Sequence, residues 1–258
     1  MIKAIRLGIR QILYEDMAFW RNPVAAFFTF VFPLMFLFII NLTFGKNVIE
    51  RPQGTLNLSD FYVPMIIAFS VINSSYTGLA MNLTISRDTG ILKRIRGTPL
   101  PAFSFLFGKI AHNTLISALL VVIVMGIGAF LFDVSLPTKT ALSFLTTLLL
   151  GTATFSCLGV AVTTLIPNAD AAPAVVNASI LPLLFVSDVF IPMDQAPPWL
   201  NMVANVFPVR SFSIALQDAF NPLEGSVGFN VNSIFIMSAW LLAGLFIAIK
   251  FFSWEPRK

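Results

Sequence analysis

"ISRDTGILKRIRGTPLP", Ile85 to Pro101, lies between two long apolar runs and gathers Arg87, Lys93, Arg94 and Arg96 within ten residues. The 258-residue chain around it is 57% hydrophobic, carries 27 Phe and is only 11% charged. Its mean hydropathy is +0.86. Soluble domains are about one quarter charged, so this composition predicts a polytopic membrane protein. The 85–101 stretch is then a short basic link between two crossings.

Six segments approach the ~20 apolar residues that a helical crossing needs. They are about 23–44, 61–85, 102–132, 141–166, 171–190 and 231–252. The runs are too long for barrel strands and lack their alternation. The expected fold is an all-α membrane protein with six transmembrane helices. Residues 1–22 precede them and 253–258 form a tail. With the N-terminus inside, twelve Lys and Arg flank the cytoplasmic ends and four (Lys46, Arg51, Lys139, Arg210) lie outside. That bias predicts a multi-pass protein of the cell membrane with both termini cytoplasmic.

The flanking segments refine this picture. Ile2, Ile5, Ile9 and Ile12 recur at helical spacing, edged by Lys3, Arg6 and Arg10. This predicts an amphipathic helix lying in the membrane interface, its apolar stripe down. Trp20 to Pro23 turns the chain upward, Pro suiting a first helical turn. Met1 to Arg21 has no continuous apolar core, so a cleavable signal is not expected. Between Phe190 and Val231, two apolar pieces separated by Phe207-Pro208 are each too short to cross. They predict re-entrant or interfacial helices on the outer side.

The inventory of reactive groups excludes several classes. No P-loop pattern is present; Gly108-Lys109-Ile110 lacks the upstream glycine and the hydroxyl. One histidine, His112, and one cysteine, Cys157, make neither a metal set nor a disulfide. No carboxylate lies clearly mid-span, which argues against an ion-coupled carrier or an intramembrane hydrolase. The basic residues are scattered among apolar runs, so no nucleic-acid surface is expected. Lys109 is expected to reach the interface, His112 to be a packing residue and Asp188 to be solvated.

On a helix over 88–97, Ile91, Leu92 and Ile95 share one face, with Lys93, Arg94 and Arg96 opposite. Thr98-Pro99 ends it, because the residue before Pro leaves the α region. Physically this short amphipathic cytoplasmic helix is either a lipid-bound anchor or a docking peg.

The stretch resembles the cytoplasmic segment of the type-2 permease family of ATP-binding-cassette (ABC) exporters, through Arg87, Asp88, Gly90, Leu92, Lys93, Arg94, Thr98 and Pro99. Ser86 and Ile91 depart from the usual acidic residue and Thr. Arg21-Asn22-Pro23, Phe32-Pro33, Phe190-Ile191-Pro192, Pro197-Pro198-Trp199-Leu200 and Phe207-Pro208 extend the resemblance over nearly the whole chain. Asp188 and Arg210 stand where small residues are usual.

The resemblance implies a membrane subunit that pairs with a second copy or a paralogue. A separate ATPase subunit would bind ATP and Mg, so no cofactor is expected in this chain. Arg87, Asp88, Gly90, Lys93, Arg94, Arg96, Thr98 and Pro99 would couple to that ATPase. The second and fifth spans would line the pathway, with Asn73, Ser74, Ser75, Tyr76, Asn177 and Ser179 as its polar candidates; their alternative is interhelical glue. Pro192, Trp199, Phe207 and Pro208 would belong to an outer gate. The expected function is outward movement of a lipophilic or amphiphilic substrate. The alternative is an ATP-independent channel or membrane scaffold.

Overall fold

A computed structural model describes residues 2–44, 48–51, 54–190, 193, 196–220 and 227–255. Eleven α-helices and one π-helical turn make up most of the described chain. Helix α1 (Ile2–Trp20) leads through a tight turn into α2 (Pro23–Phe44). A two-stranded antiparallel hairpin follows, β1 (Val48–Arg51) pairing with β2 (Gly54–Asn57). The sequence did not predict it, since four-residue strands carry too short a pattern.

The centre of the bundle is a rod of 31 residues, Leu58–Asp88, rather than 61–85. It comprises α3 (Leu58–Ile72), the π-turn (Asn73–Gly78) and α4 (Leu79–Asp88). Helix α5 (Ile91–Arg96) is the basic link. Then come α6 (Ala102–Phe132), α7 (Ala141–Val162), α8 (Ala172–Phe185), α9 (Pro198–Val206), α10 (Pro208–Phe220) and α11 (Val231–Phe251).

The rod is packed by α2, α6, α7 and α10, and α11 lies against α7 and α10. Val63, Ile67 and Val71 of the rod, Phe155 of α7, and Phe212 and Leu216 of α10 are fully buried in this core. The π-turn fits its neighbour closely. A Cβ at Gly159 of α7 would stand 2.8 Å from the Ser75 carbonyl oxygen and 2.9 Å from that of Tyr76. Only glycine lets α7 approach this widened turn. By contrast, α2 and α11 are apolar all round and mostly exposed, as with Phe28, Leu42, Leu242 and Ile249. Such helices suit a hydrocarbon surround.

Five helices are long and apolar enough to cross a membrane: α2, the 58–88 rod, α6, α7 and α11. The fifth expected crossing, 171–190, is instead the 14-residue α8. At ~1.5 Å per residue it covers about 21 Å of a ~30 Å hydrocarbon layer. Pro182 lies within it, and the chain leaves the helix after Phe185.

The two pieces before the last span differ from each other. Helix α9 exposes Trp199, Met202, Val203 and Val206. Helix α10 is a core element, with Phe212, Ser213, Ala215 and Leu216 almost wholly buried between α3, α7 and α11.

Candidate coupling and transport site

The link after the rod divides into two parts, not one helix over 88–97. Asp88 still belongs to α4, and the helix breaks at Thr89-Gly90. Gly90 takes φ +74°, a left-handed conformation that glycine adopts without penalty. This sharp turn starts α5. On its inner face Leu92 is fully buried, in a cluster with Leu79, Leu83, Phe105, Val160 and Ala248. The cluster joins α5 to residues of α4, α6, α7 and α11. Lys93, Arg94 and Arg96 are all exposed. Thr98 closes the helix by donating its hydroxyl to the Ile95 carbonyl at 2.6 Å, ahead of Pro99. Arg96 reaches Glu255 of the tail at 3.4 Å, an exposed pair of little energetic weight.

Arg87 and Asp88 do not join this exposed face, as the sequence had suggested they would. The Arg87 side chain is 2% exposed. Its guanidinium donates to the carbonyls of Thr163 (3.0 Å), Ile166 (2.7 Å) and Pro167 (3.3 Å). Asp88 accepts from the Ala169 backbone N–H. The two residues clamp the turn between α7 and α8 to the foot of the rod. Arginine suits this place because its planar fork serves several acceptors at once. The neighbouring charges at 93, 94 and 96 hid the difference in the sequence, because all four read alike without a partner in view.

Helix α1 is packed along the start of α6. Gln11 lies over Gly108, and Glu15 accepts from Lys109 at 2.8 Å. Lys109 is 9% exposed and also donates to Asn82 at 3.1 Å, so it does not extend to the interface as expected. On α1, Ile12 is partly covered, while Ile9, Leu13, Met17 and Trp20 are exposed. The side chains of Ile2, Lys3 and Ile5 lie outside the described residues.

The polar group of the rod is largely engaged between helices. Ser74 shares a 2.7 Å hydrogen bond with Ser117 of α6. Ser75 is fully buried and accepts from Asn113 at 3.0 Å. Tyr76 shares one of 2.7 Å with Ser179 of α8. Asn73 is exposed and Asn177 half-buried. The structure thus brings Tyr76 and Ser179 together.

Beyond the end of α8, Asp188 is not a solvated carboxylate. It sits at φ +63°, a conformation Asp tolerates better than most residues. It accepts from the Met193 N–H at 2.7 Å and from Arg210 Nε at 3.0 Å. Arg210 also donates to the Asn201 carbonyl at 3.1 Å. The ends of α8, α9 and α10 are thereby tied by one ion pair. Both members had stood out as departures from the permease pattern, and their opposite charges were the signal for pairing them. Phe207 stacks on Trp240 of α11 at 6.0 Å, and the indole N–H of Trp240 donates to Val206. Pro208 is buried at the start of α10 and Trp199 is exposed. Pro192 lies outside the described residues.

The sequence profile of the ABC-2 type transporters matches residues 9–221. The chain belongs to this family. Relatives include the transport permease ycf38 of Cyanophora paradoxa, 27% identical over 238 residues, which span 90% of this chain and 75% of that protein. The ycf38 permease of Pyropia yezoensis is 26% identical over 245 residues, 93% of this chain and 80% of that one. The daunorubicin resistance ABC transporter permease protein DrrB1 of Streptomyces coeruleorubidus is 25% identical over 254 residues, 93% and 83% respectively. Family membership and the apolar helices make this ABC-2 chain a multi-pass transmembrane subunit of an ABC transporter.

Proposed function

We propose that this chain is the membrane half of an exporter, moving a lipophilic or amphiphilic substrate outward on energy supplied by a separate ATPase subunit. The supporting observation is the construction of the 87–99 link. One face of α5 is anchored in the bundle by Leu92, its root is clamped by Arg87 and Asp88, and three cations are left exposed on a stiff support. A rigid charged projection can be gripped by a partner without being buried. A push on α5 would reach the rod and the α7–α8 turn together.

In this proposal Lys93, Arg94 and Arg96 make the docking contact, with Thr98 and Pro99 shaping its end. Gly90 supplies the turn, and Arg87 and Asp88 transmit movement rather than contact the partner. ATP and Mg belong to the ATPase. Both termini are cytoplasmic, in the cell membrane, and α1 borders the interface. Helix α8, extended by 186–190, is the fifth crossing and brings their number to six, and α9 with α10 forms a re-entrant outer unit. Two copies, or this chain and a paralogue, enclose the pathway. Asn73 and Asn177 are its polar lining, while Tyr76 and Ser179 fasten the second and fifth spans. Trp199, Phe207, Pro208 and Pro192 belong to the outer gate.

The test is charge reversal at Arg94 and Arg96 in the tagged full chain. Membrane insertion is expected to persist and co-purification of an ATP-hydrolysing subunit to be lost. Undiminished co-purification would overturn the docking role and favour a scaffold or an ATP-independent channel.

A further inference from the structure

Helix α1 has two unlike faces. One is turned to α6: Gly8 lies against Phe107, Gln11 covers Gly108, Glu15 holds Lys109 and Phe19 meets the His112 ring. The other has no protein against it. Ile9, Leu13, Met17 and Trp20 are each at least half exposed, and Arg6, Arg10 and Arg21 are exposed beside them. The Arg21 N–H still donates to the Met17 carbonyl at 3.1 Å, so it prolongs the helix. At about 100° per residue, Ile9, Trp20, Leu13 and Met17 fall within an arc of about 80°. Arg6 lies inside that arc, and Arg10 and Arg21 within about the next 40°.

The carboxylates of α1 do not neutralise these arginines. Among the described residues none of the three has an ion pair. Glu15 belongs to Lys109 on the inner face. Asp16, on the far edge of the apolar arc, accepts from the Trp20 indole at 3.2 Å and stands 3.8 Å from His112. Three guanidiniums thus face outward against one engaged carboxylate. The Trp20 ring stacks on Phe30 at 5.9 Å, about two turns into α2. The end of α1 therefore lies beside a helix that exposes Val24, Phe27 and Phe28, a surface suited to hydrocarbon.

Water over this face would leave four large apolar side chains unburied, and hydrocarbon would strand three cations. The headgroup zone accommodates both. There a guanidinium meets phosphate oxygens through its planar fork. A zwitterionic head brings its own cation against the arginines, whereas a head with net negative charge does not. We propose that this face of α1 binds the phosphate heads of anionic phospholipids. Arg6, Arg10 and Arg21 hold the phosphates, and Ile9, Leu13, Met17 and Trp20 lie among the upper acyl carbons. The site rests on the chain being embedded in a membrane, and on neither export nor the ATPase.

The test uses the purified full chain in phosphatidylcholine nanodiscs, without ATP. The probe is a trace of phosphatidylglycerol carrying a diazirine near its head, compared with the matching phosphatidylcholine, and peptic peptides are read by mass spectrometry. Labelling of residues 6–21 is expected to favour the anionic probe. The preference should fall as salt rises from about 0.1 to about 1 M, where the screening length shrinks from about 10 to about 3 Å. Arg10→Gln is expected to lower it by up to about fivefold, the effect of one charge at an anionic surface. Arg6→Gln/Arg10→Gln/Arg21→Gln should abolish it, and Arg6→Lys/Arg10→Lys/Arg21→Lys, which keeps the charges, should retain most of it. Lys139→Gln, at an exposed position beyond the other end of α6, should leave it unchanged. Equal labelling by the two probes, an undiminished preference in the triple Gln variant, or a preference lost in the triple Lys variant or in Lys139→Gln would each overturn the proposal.

Discussion

Replacing Arg87 by Met removes every donor of the clamp while keeping a side chain of similar length. The Thr163 and Ile166 carbonyls, reached at 3.0 and 2.7 Å, then lose their partner, and Pro167 loses a longer contact of 3.3 Å. Each buried acceptor left unpaired costs roughly 1–3 kcal/mol. Asp88 loses its counter-charge but keeps the Ala169 N–H and partial access to water. Together the loss is about 3–5 kcal/mol, in line with breaking a buried charged contact. For a chain of this size that lowers the unfolding midpoint by on the order of 10 °C. Arg87→Lys restores the charge, but one ammonium cannot serve carbonyls at 163, 166 and 167 together, so it should recover less than half of the loss. The assay is thermal unfolding in detergent, paired with limited proteolysis of the 163–171 turn. Cleavage there should rise in both variants. A midpoint for Arg87→Met indistinguishable from the parent, or full recovery by Arg87→Lys, would refute the clamp.

Gly159→Ala should destabilise by about 1–3 kcal/mol, since its Cβ meets two backbone carbonyls that cannot move aside; Gly126→Ala, with nothing within 4 Å, is the matched control expected to be neutral in the same melt. Arg210→Ala should destabilise the junction of α8 and α10 by leaving the Asp188 charge without its counter-ion. The double variant Asp188→Gly/Arg210→Ala should recover much of that, giving a coupling energy of about 0.5–3 kcal/mol in a double-mutant cycle; strict additivity would contradict the tie. Lys109→Met should loosen α1 from α6, read as faster amide exchange over residues 8–20, and Glu15→Gln added to it should restore protection.

The long elements were legible because length and hydropathy alone define them. Pro23–Phe44 and Ala102–Phe132 begin and end where the apolar runs do. Several of the failures share a physical cause, a partner far along the chain. Arg87 looked like its three basic neighbours until the α7–α8 turn supplied carbonyls to it. Lys109 looked like an interfacial lysine until α1 brought Glu15 to it across 94 residues. The 171–190 segment reads as one apolar run, yet the helix stops three residues after Pro182. Helix α10 was recognisable as too short to cross. That it would be a core element could not be seen from Phe212 alone, because its fit depends on Phe155 of α7, 5.5 Å away.

The most direct measurement places a photo-crosslinking amino acid at position 94 of the full chain in its native membrane and identifies what it captures. Capture of a subunit that hydrolyses ATP is expected, with none when the same group stands at the exposed outer position 199. Capture of lipid alone at position 94, with ATP-driven export undiminished, would contradict delivery of power through this basic turn.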